Sequence, residues 1–146
     1  MSDKKLQLRI VTPDKTVVDA PVDAVGALGT EGAFTALPGH LPFLTDLQPG
    51  LLWYRVDGNT RDLAVSGGFI EIKQDSASVL ADSAEYLEEI DVERAQRALK
   101  RAEERLAKAK EDAKSSEEGA LKDISRASAS LNRASTRLKL AARKVR

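Results

Sequence analysis

An antiparallel β-sandwich followed by an antiparallel two-helix hairpin is the fold this sequence predicts. Three observations predict it. Apolar residues recur with a period of two in the first part of the chain, and in steps of three and four in the last part. All six aromatics, all five prolines and eight of the nine glycines lie before residue 91. Charge divides at the same place: residues 1–90 hold 7 Lys+Arg against 14 Asp+Glu, and residues 91–146 hold 16 against 9. The zero net charge of the chain therefore averages an acidic unit and a basic one. The expected division is a sandwich over residues 1–86 and a hairpin over 87–146.

The strands follow in order. Leu6, Leu8 and Ile10 alternate with Gln7 and Arg9, the pattern of a half-buried strand. Thr12-Pro13-Asp14-Lys15 is a turn signal, with proline pre-setting its φ angle. Thr16–Val18 and Val22–Ala27 read as two further short strands. Leu51–Val56 is rich in β-formers and ends at Asp57-Gly58-Asn59, a hairpin signal, after which Asp62–Val65 returns. Gly67-Gly68 interrupts the pattern, Phe69–Lys73 resumes it, Gln74-Asp75 turns the chain, and Ala77–Ala81 closes the series. Strands this closely spaced leave no room for the crossover helices of a parallel sheet, so a sandwich or barrel is expected.

From Asp91 onward there is no proline and a single glycine. Ala95, Leu99, Ala102, Leu106, Ala109 and Ala113 form one apolar seam. Ala120, Ile124, Ala127, Leu131, Ala134, Leu138, Ala141 and Val145 form a second. The break at Lys114–Gly119 is short, which makes the helices antiparallel neighbours, and Ser115 with Glu118 has the spacing of a capping box. Both seams are rich in alanine. They permit close approach but bury little apolar area, at about 25 cal/mol per Å². A weakly held hairpin suits an element that opens and closes.

Composition excludes several classes of function. The absence of cysteine rules out disulfides and thiolate-bound metals, and fits a reducing compartment. No apolar run approaches the roughly 18 residues of a membrane span. The polar start Met1–Lys5 runs directly into a strand pattern, so no signal or transit peptide is expected. His40, the only histidine, has no second histidine, cysteine or acid cluster at ligand spacing; a structural place in the Leu37-Pro38-Gly39-His40 turn is expected, and no metal. Gly26–Gly32 lacks the lysine and hydroxyl residue of a phosphate loop, and no serine sits in a nucleophile elbow. No catalytic constellation is present. The basic second unit carries interspersed acids and no aromatic for base stacking, which favours solvated helix faces over nucleic acid.

Asp91 stands where a helix N-cap would, with Glu93 in the first turn. Arg94 and Arg101 share one helix face, and Arg126, Arg133 and Arg137 share another. Two readings of these stripes are open: solvated surface, or a converging cluster for a polyphosphate, which guanidinium groups bind bidentately.

Gly29-Thr30-Glu31-Gly32, then Leu37–Thr45 (LPGHLPFLT) and Leu47-Gln48-Pro49-Gly50, resemble the signature loops of the epsilon-subunit family of rotary F-type ATP synthases. So do Val65–Glu71 (VSGGFIE) and Val79–Asp82 (VLAD). Order, spacing and length agree over essentially the whole chain. The resemblance implies a ten-stranded sandwich at the foot of the rotor, bound to the γ subunit and the c-ring and coupling proton transport to ATP synthesis. The hairpin would extend along γ to the α/β catalytic hexamer and inhibit ATP hydrolysis. It also implies a non-catalytic subunit, peripheral on the cytoplasmic side of a bacterial plasma (inner) membrane.

Ile90-Asp91-Val92-Glu93-Arg94-Ala95 matches the family's ATP-binding motif. The remaining ligands of ATP-binding members fall on Glu85, Arg101, Arg126, Arg133 and Arg137. MgATP is thus implied as a regulatory ligand that holds the hairpin compact, with no cofactor required. Arg94 and Arg126 are thus expected to bind ATP. Asp91 could accept a hydrogen bond from an adenine amino group, and Arg94 lies one turn further in. If the hairpin folds against the sandwich, Arg126 and Arg133 can approach the same place and meet the phosphates. Glu31 and His40 are implied contacts to γ or the c-ring. One departure weakens this last point. Many members have an acid after the glycine matching Gly32, whereas here Ala33-Phe34-Thr35-Ala36 follows, leaving Glu31 as a weaker substitute. A free-standing adaptor, with a β-domain carrying a coiled-coil hairpin, is the alternative from another class; co-purification with a γ subunit separates the two.

Overall fold

A computed structural model describes residues 4–112 and 117–142, with backbone alone for 117–120. The chain divides after Glu89 into two compact units.

The first unit contains ten strands: β1 (Leu6–Val11), β2 (Thr16–Val22), β3 (Ala24–Gly29), β4 (Gly32–Ala36), β5 (Phe43–Asp46), β6 (Gly50–Val56), β7 (Asn59–Ser66), β8 (Phe69–Lys73), β9 (Ser76–Leu80) and β10 (Ser83–Tyr86). They form two five-stranded sheets, ordered β2-β1-β9-β8-β5 and β10-β7-β6-β3-β4. Alternation sets the inward faces. Leu6, Leu8 and Ile10 of β1, Leu52 of β6, Leu63 of β7, and Ile70 and Ile72 of β8 are almost wholly buried in one apolar cluster. All strand pairs are antiparallel except β1 with β9, which run parallel.

Ten strands replace the seven read from alternation. The two segments Thr16–Val18 and Val22–Ala27 are rearranged into β2, which runs through Pro21, and β3, which starts at Ala24. Pro21 is tolerated because β2 lies at the sheet edge, where a missing N–H costs no ladder bond. The strands not read from alternation, β4, β5 and β10, are four or five residues long, each with at most one buried residue.

Turns between and within the sheets follow local chemistry. Asp57 (φ 50°) and Gly58 (φ 83°) both lie in the left-handed region, so the β6–β7 loop is a two-residue turn of the twisted type that suits a hairpin. At Gly67-Gly68 the chain steps from one sheet to the other, and both glycines have positive φ. Gly68 lies against the Leu80 carbonyl so closely that no Cβ would fit. Lys5 gathers Asp23 at 2.5 Å and Asp57 at 3.1 Å, while the Asp57 amide donates to Asp23 at 2.7 Å. This ties the start of β1 to the β2–β3 corner and the β6–β7 turn. On β10, the Tyr86 hydroxyl bonds that of Tyr54 at 2.7 Å, and Arg61 lies 4.3 Å from the Tyr86 ring centroid. Arg61 also donates to Glu88 in the short 3₁₀ turn Leu87–Glu89 that ends the unit.

The second unit is an antiparallel pair, α1 (Val92–Asp112) and α2 (Glu117–Ala141). Ala95, Ala102 and Ala109 are buried on α1, and Ala127, Ala134 and Ala141 on α2, together with Leu140, which lies outside the expected seam. Leu99, Leu106, Ile124, Leu131 and Leu138 are only half-buried flanks. The proposed capping box Ser115/Glu118 and the seam residues Ala113, Ala120 and Val145 lie outside the described residues and side chains.

Candidate phosphate-binding groove

The site begins at the entrance of α1. The Arg94 amide donates to Asp91 Oδ1 at 3.0 Å, and the Ala95 amide donates to the Asp91 carbonyl oxygen at 2.9 Å. Asp91 is therefore a helix N-cap, with its carboxylate against the partial positive charge of the helix end. Ile90 is buried, Ala95 is wholly buried, and Arg94 is exposed on the first turn. Glu85 lies on β10 in the first unit, half-buried.

Between α1 and α2 run two shallow grooves that meet at Arg105 and Ser130. One, of about 230 Å³, has Arg101 and Arg105 on its α1 wall and Ser130, Arg133 and Arg137 on its α2 wall, over a floor of Ala98, Ala102 and Ala134. Four guanidinium groups line it and no carboxylate does. The small alanines are what let the helices come close enough to face these arginines across a narrow gap. The second groove, of about 290 Å³, lies nearer the turn and brings Arg105, Lys108 and Arg126 together with Asp112 and Asp123. Its cations are offset by acids. Of the two, the arginine-only groove has the lining better suited to an anion, and a tetrahedral phosphate there would meet planar donors from both helices. It is smaller than the 300–1,000 Å³ typical of pockets that enclose a whole ligand, so it suits a phosphate chain rather than a complete nucleotide.

The candidate residues are thereby sorted. Arg101, Arg133 and Arg137 share one groove, whereas Arg126 lies in the adjoining one. Arg94 lines neither. From Arg94 to Arg105, the first α1 residue in Arg126's groove, is about 16 Å at 1.5 Å per residue. The helices are antiparallel, so the start of α2 lies at the far end from the start of α1, and Arg126 lies nearer the turn than Arg94 does. Sequence reasoning missed Arg105 and Ser130. Their signals were the spacing of four from Arg101 to Arg105 and of three from Ser130 to Arg133.

The other candidates lie on loops of the sandwich. Glu31, at the β3–β4 turn, lines a hollow with Leu44, Asp46 and Phe69. Leu44 is 63% exposed and Leu41 79%. His40 donates from Nδ1 to the Leu41 carbonyl at 2.6 Å and lies edge-on to Phe43, which in turn meets Phe34. His40 is thereby part of a loop that presents apolar surface. Among the described residues no group of three or more histidines or acids is placed to hold a metal ion.

Two family descriptions match in succession. "ATP synthase, Delta/Epsilon chain, beta-sandwich domain" covers residues 5–87, and "ATP synthase, Delta/Epsilon chain, long alpha-helix domain" covers 88–142. The chain belongs to the ATP synthase delta/epsilon family. Within the family it is similar to the ATP synthase epsilon chain of Nitratidesulfovibrio vulgaris, 51% identical over 96 residues, which cover 66% of this chain and 72% of the relative. It is also similar to that of Carboxydothermus hydrogenoformans, 52% identical over 99 residues, covering 68% and 73%. A chain of the Euglena gracilis mitochondrial ATP synthase OSCP/F1/c-ring assembly shares the fold, with TM-score 0.70 and 23% identity over 93% of this chain and 81% of that one. Membership in the delta/epsilon family gives the chain the central-stalk role of an epsilon subunit, with the sandwich and the hairpin as the family's two domains.

Proposed function

We propose that this delta/epsilon chain is a non-catalytic stalk subunit whose hairpin reports the ATP level to the motor. The sandwich links γ to the c-ring and so couples proton transport to ATP synthesis. The exposed loop residues Leu37, Leu41 and Leu44, with Glu31 and His40 beside them, supply the docking surface. The hairpin, when released, reaches the α/β hexamer and inhibits hydrolysis. The subunit acts on the cytoplasmic face of a bacterial plasma membrane; no described helix is long and apolar enough to cross one.

The observation that carries the sensor reading is the groove with four arginines and no acid. Arg101 with Arg105, and Arg133 with Arg137, are like-charge pairs at a spacing of four, each costing an isolated helix about 0.2–0.5 kcal/mol. A polyphosphate relieves both pairs and bridges the helices. MgATP binding then holds α1 against α2 and keeps the hairpin compact, and scarcity of ATP frees it. Calorimetry of the full chain with MgATP tests this. Arg101→Ala and Arg137→Ala should each weaken binding about tenfold, roughly 1.4 kcal/mol. Arg126→Ala, in the acid-compensated groove, should cost less. Absence of saturable binding at millimolar MgATP, or both groove variants binding like wild type, would remove the sensor reading and leave a mechanical latch.

A further inference from the structure

We propose that Ser130 is a positioning residue of the phosphate groove, holding the Arg133 guanidinium in its binding orientation and adding a hydroxyl donor of its own. The inference rests on the sensor reading above. Ser130 lies where the two grooves meet, across from Arg105. Its Oγ accepts a hydrogen bond from Arg133 Nη2 at 3.0 Å, from one turn further along the same helix. An arginine on a helix surface samples many rotamers, and a ligand that immobilises it bears that entropy. A tether to a short side chain on the same helix removes part of this cost beforehand. The tether leaves the other guanidinium donors able to face the groove. Accepting uses an oxygen lone pair, so the Ser130 hydrogen can be donated to an oxyanion seated between Arg105 and Arg133.

A serine inside a helix has an ordinary alternative role, bonding the carbonyl four residues earlier. The two roles separate in a double-mutant cycle measured by calorimetry on the full chain. The ligands are MgATP and inorganic tripolyphosphate, which carries the phosphates without the nucleoside. Ser130→Ala should weaken both ligands roughly two- to tenfold, and Ser130→Thr, which keeps the hydroxyl, should restore most of the loss. In an Arg133→Ala background, Ser130→Ala should cost clearly less, because the residue it positions is gone. Circular dichroism of Ser130→Ala should match wild type, since alanine is the better helix former. If wild type binds both ligands and Ser130→Ala binds them equally well, the positioning role is overturned and the sensor reading stands. If Ser130→Ala costs the same with and without Arg133, the tether is overturned. If wild type binds neither ligand, the sensor reading fails and this inference with it.

Discussion

Replacing Ala102 by leucine should open the hairpin while leaving the sandwich intact. Ala102 is 4% exposed and Ala134 is 4% exposed, and together they form part of the groove floor between the helices. Ala109 and Ala127 occupy the same place one heptad nearer the turn. At about 0.8 kcal/mol per buried carbon, these four methyls contribute roughly 3 kcal/mol to holding the helices together. Forcing three more carbons into such a contact typically costs about 1–3 kcal/mol, comparable to everything the methyls supply. The flanking leucines are half-buried and offset only part of this. The two units carry separate reporters. Trp53, the single tryptophan, lies on β6 of the sandwich, and far-UV circular dichroism is dominated by α1 and α2. Ala102→Leu should lower the dichroism transition by on the order of 4–8 °C per kcal/mol lost, with the Trp53 fluorescence transition unmoved. A leucine variant whose helical transition stays put or rises would show that the seam has room to spare, and that alanine is not what limits the hairpin. A common fall of both transitions would equally refute the separation of the two packing systems.

Two further outcomes concern the sandwich. Gly68→Ala should destabilise it by about 3 kcal/mol, because a positive φ and a backbone collision with Leu80 coincide there. Gly58→Ala, with positive φ but open space, should cost visibly less, and equal shifts in the urea midpoint followed by Trp53 would contradict this account. Burial, and secondly the bond to the Tyr54 hydroxyl, push Tyr86 up from 10.0 to about 12. Its folded pKa is raised, so its contribution to stability is complete below pH 10 and fades as pH climbs toward about 12. Ultraviolet difference absorbance should show a late phase of tyrosine ionisation, and Tyr86→Phe should diminish it; an unchanged late phase would refute the assignment.

How much of this was legible in the sequence depended on whether one element's own pattern carried the information. β1 and β8 were readable because each has a buried face on a period of two, and β6 because its β-formers end at the Asp57-Gly58-Asn59 hairpin signal. β5 has no buried residue at all, so its pairing to β8 is set by Phe43 opposite Ile72 and Thr45 opposite Ile70, a relation no local pattern encodes. The parallel pairing of β1 with β9 was hidden for the same reason. In the hairpin, the steps of four and three gave both helices and the alanines buried between them, but not Leu140, which is buried outside the expected seam. The arginine stripes were visible as faces, but which arginines share a groove depends on the register of two antiparallel helices. That register separates Arg126 from Arg101 and admits Arg105. Arg105 stands in the charged run Glu103-Glu104-Arg105, whose local pattern is that of solvated surface.

The thin seam and the arginine groove belong to one physical design. A seam rebuilt throughout with larger residues, and helices spaced wider to fit them, would bury more carbon, but it would fill the groove floor of Ala98, Ala102 and Ala134 and part Arg101 from Arg133. Alanine gives close approach at the expense of packing energy, and on the proposed reading the energy forgone is what would make the pair responsive. A ligand at one hundred times its dissociation constant stabilises the form it binds by about 2.7 kcal/mol. That nearly equals the roughly 3 kcal/mol assigned to the four central methyls. Were the seam built of leucine, with several times the buried carbon, the same ligand would add a minor fraction and the hairpin would stay shut whether or not ATP was present. On the proposed reading, the alanines set the helix–helix interaction to the scale of the ligand's binding energy, and so let the ATP concentration decide the conformation.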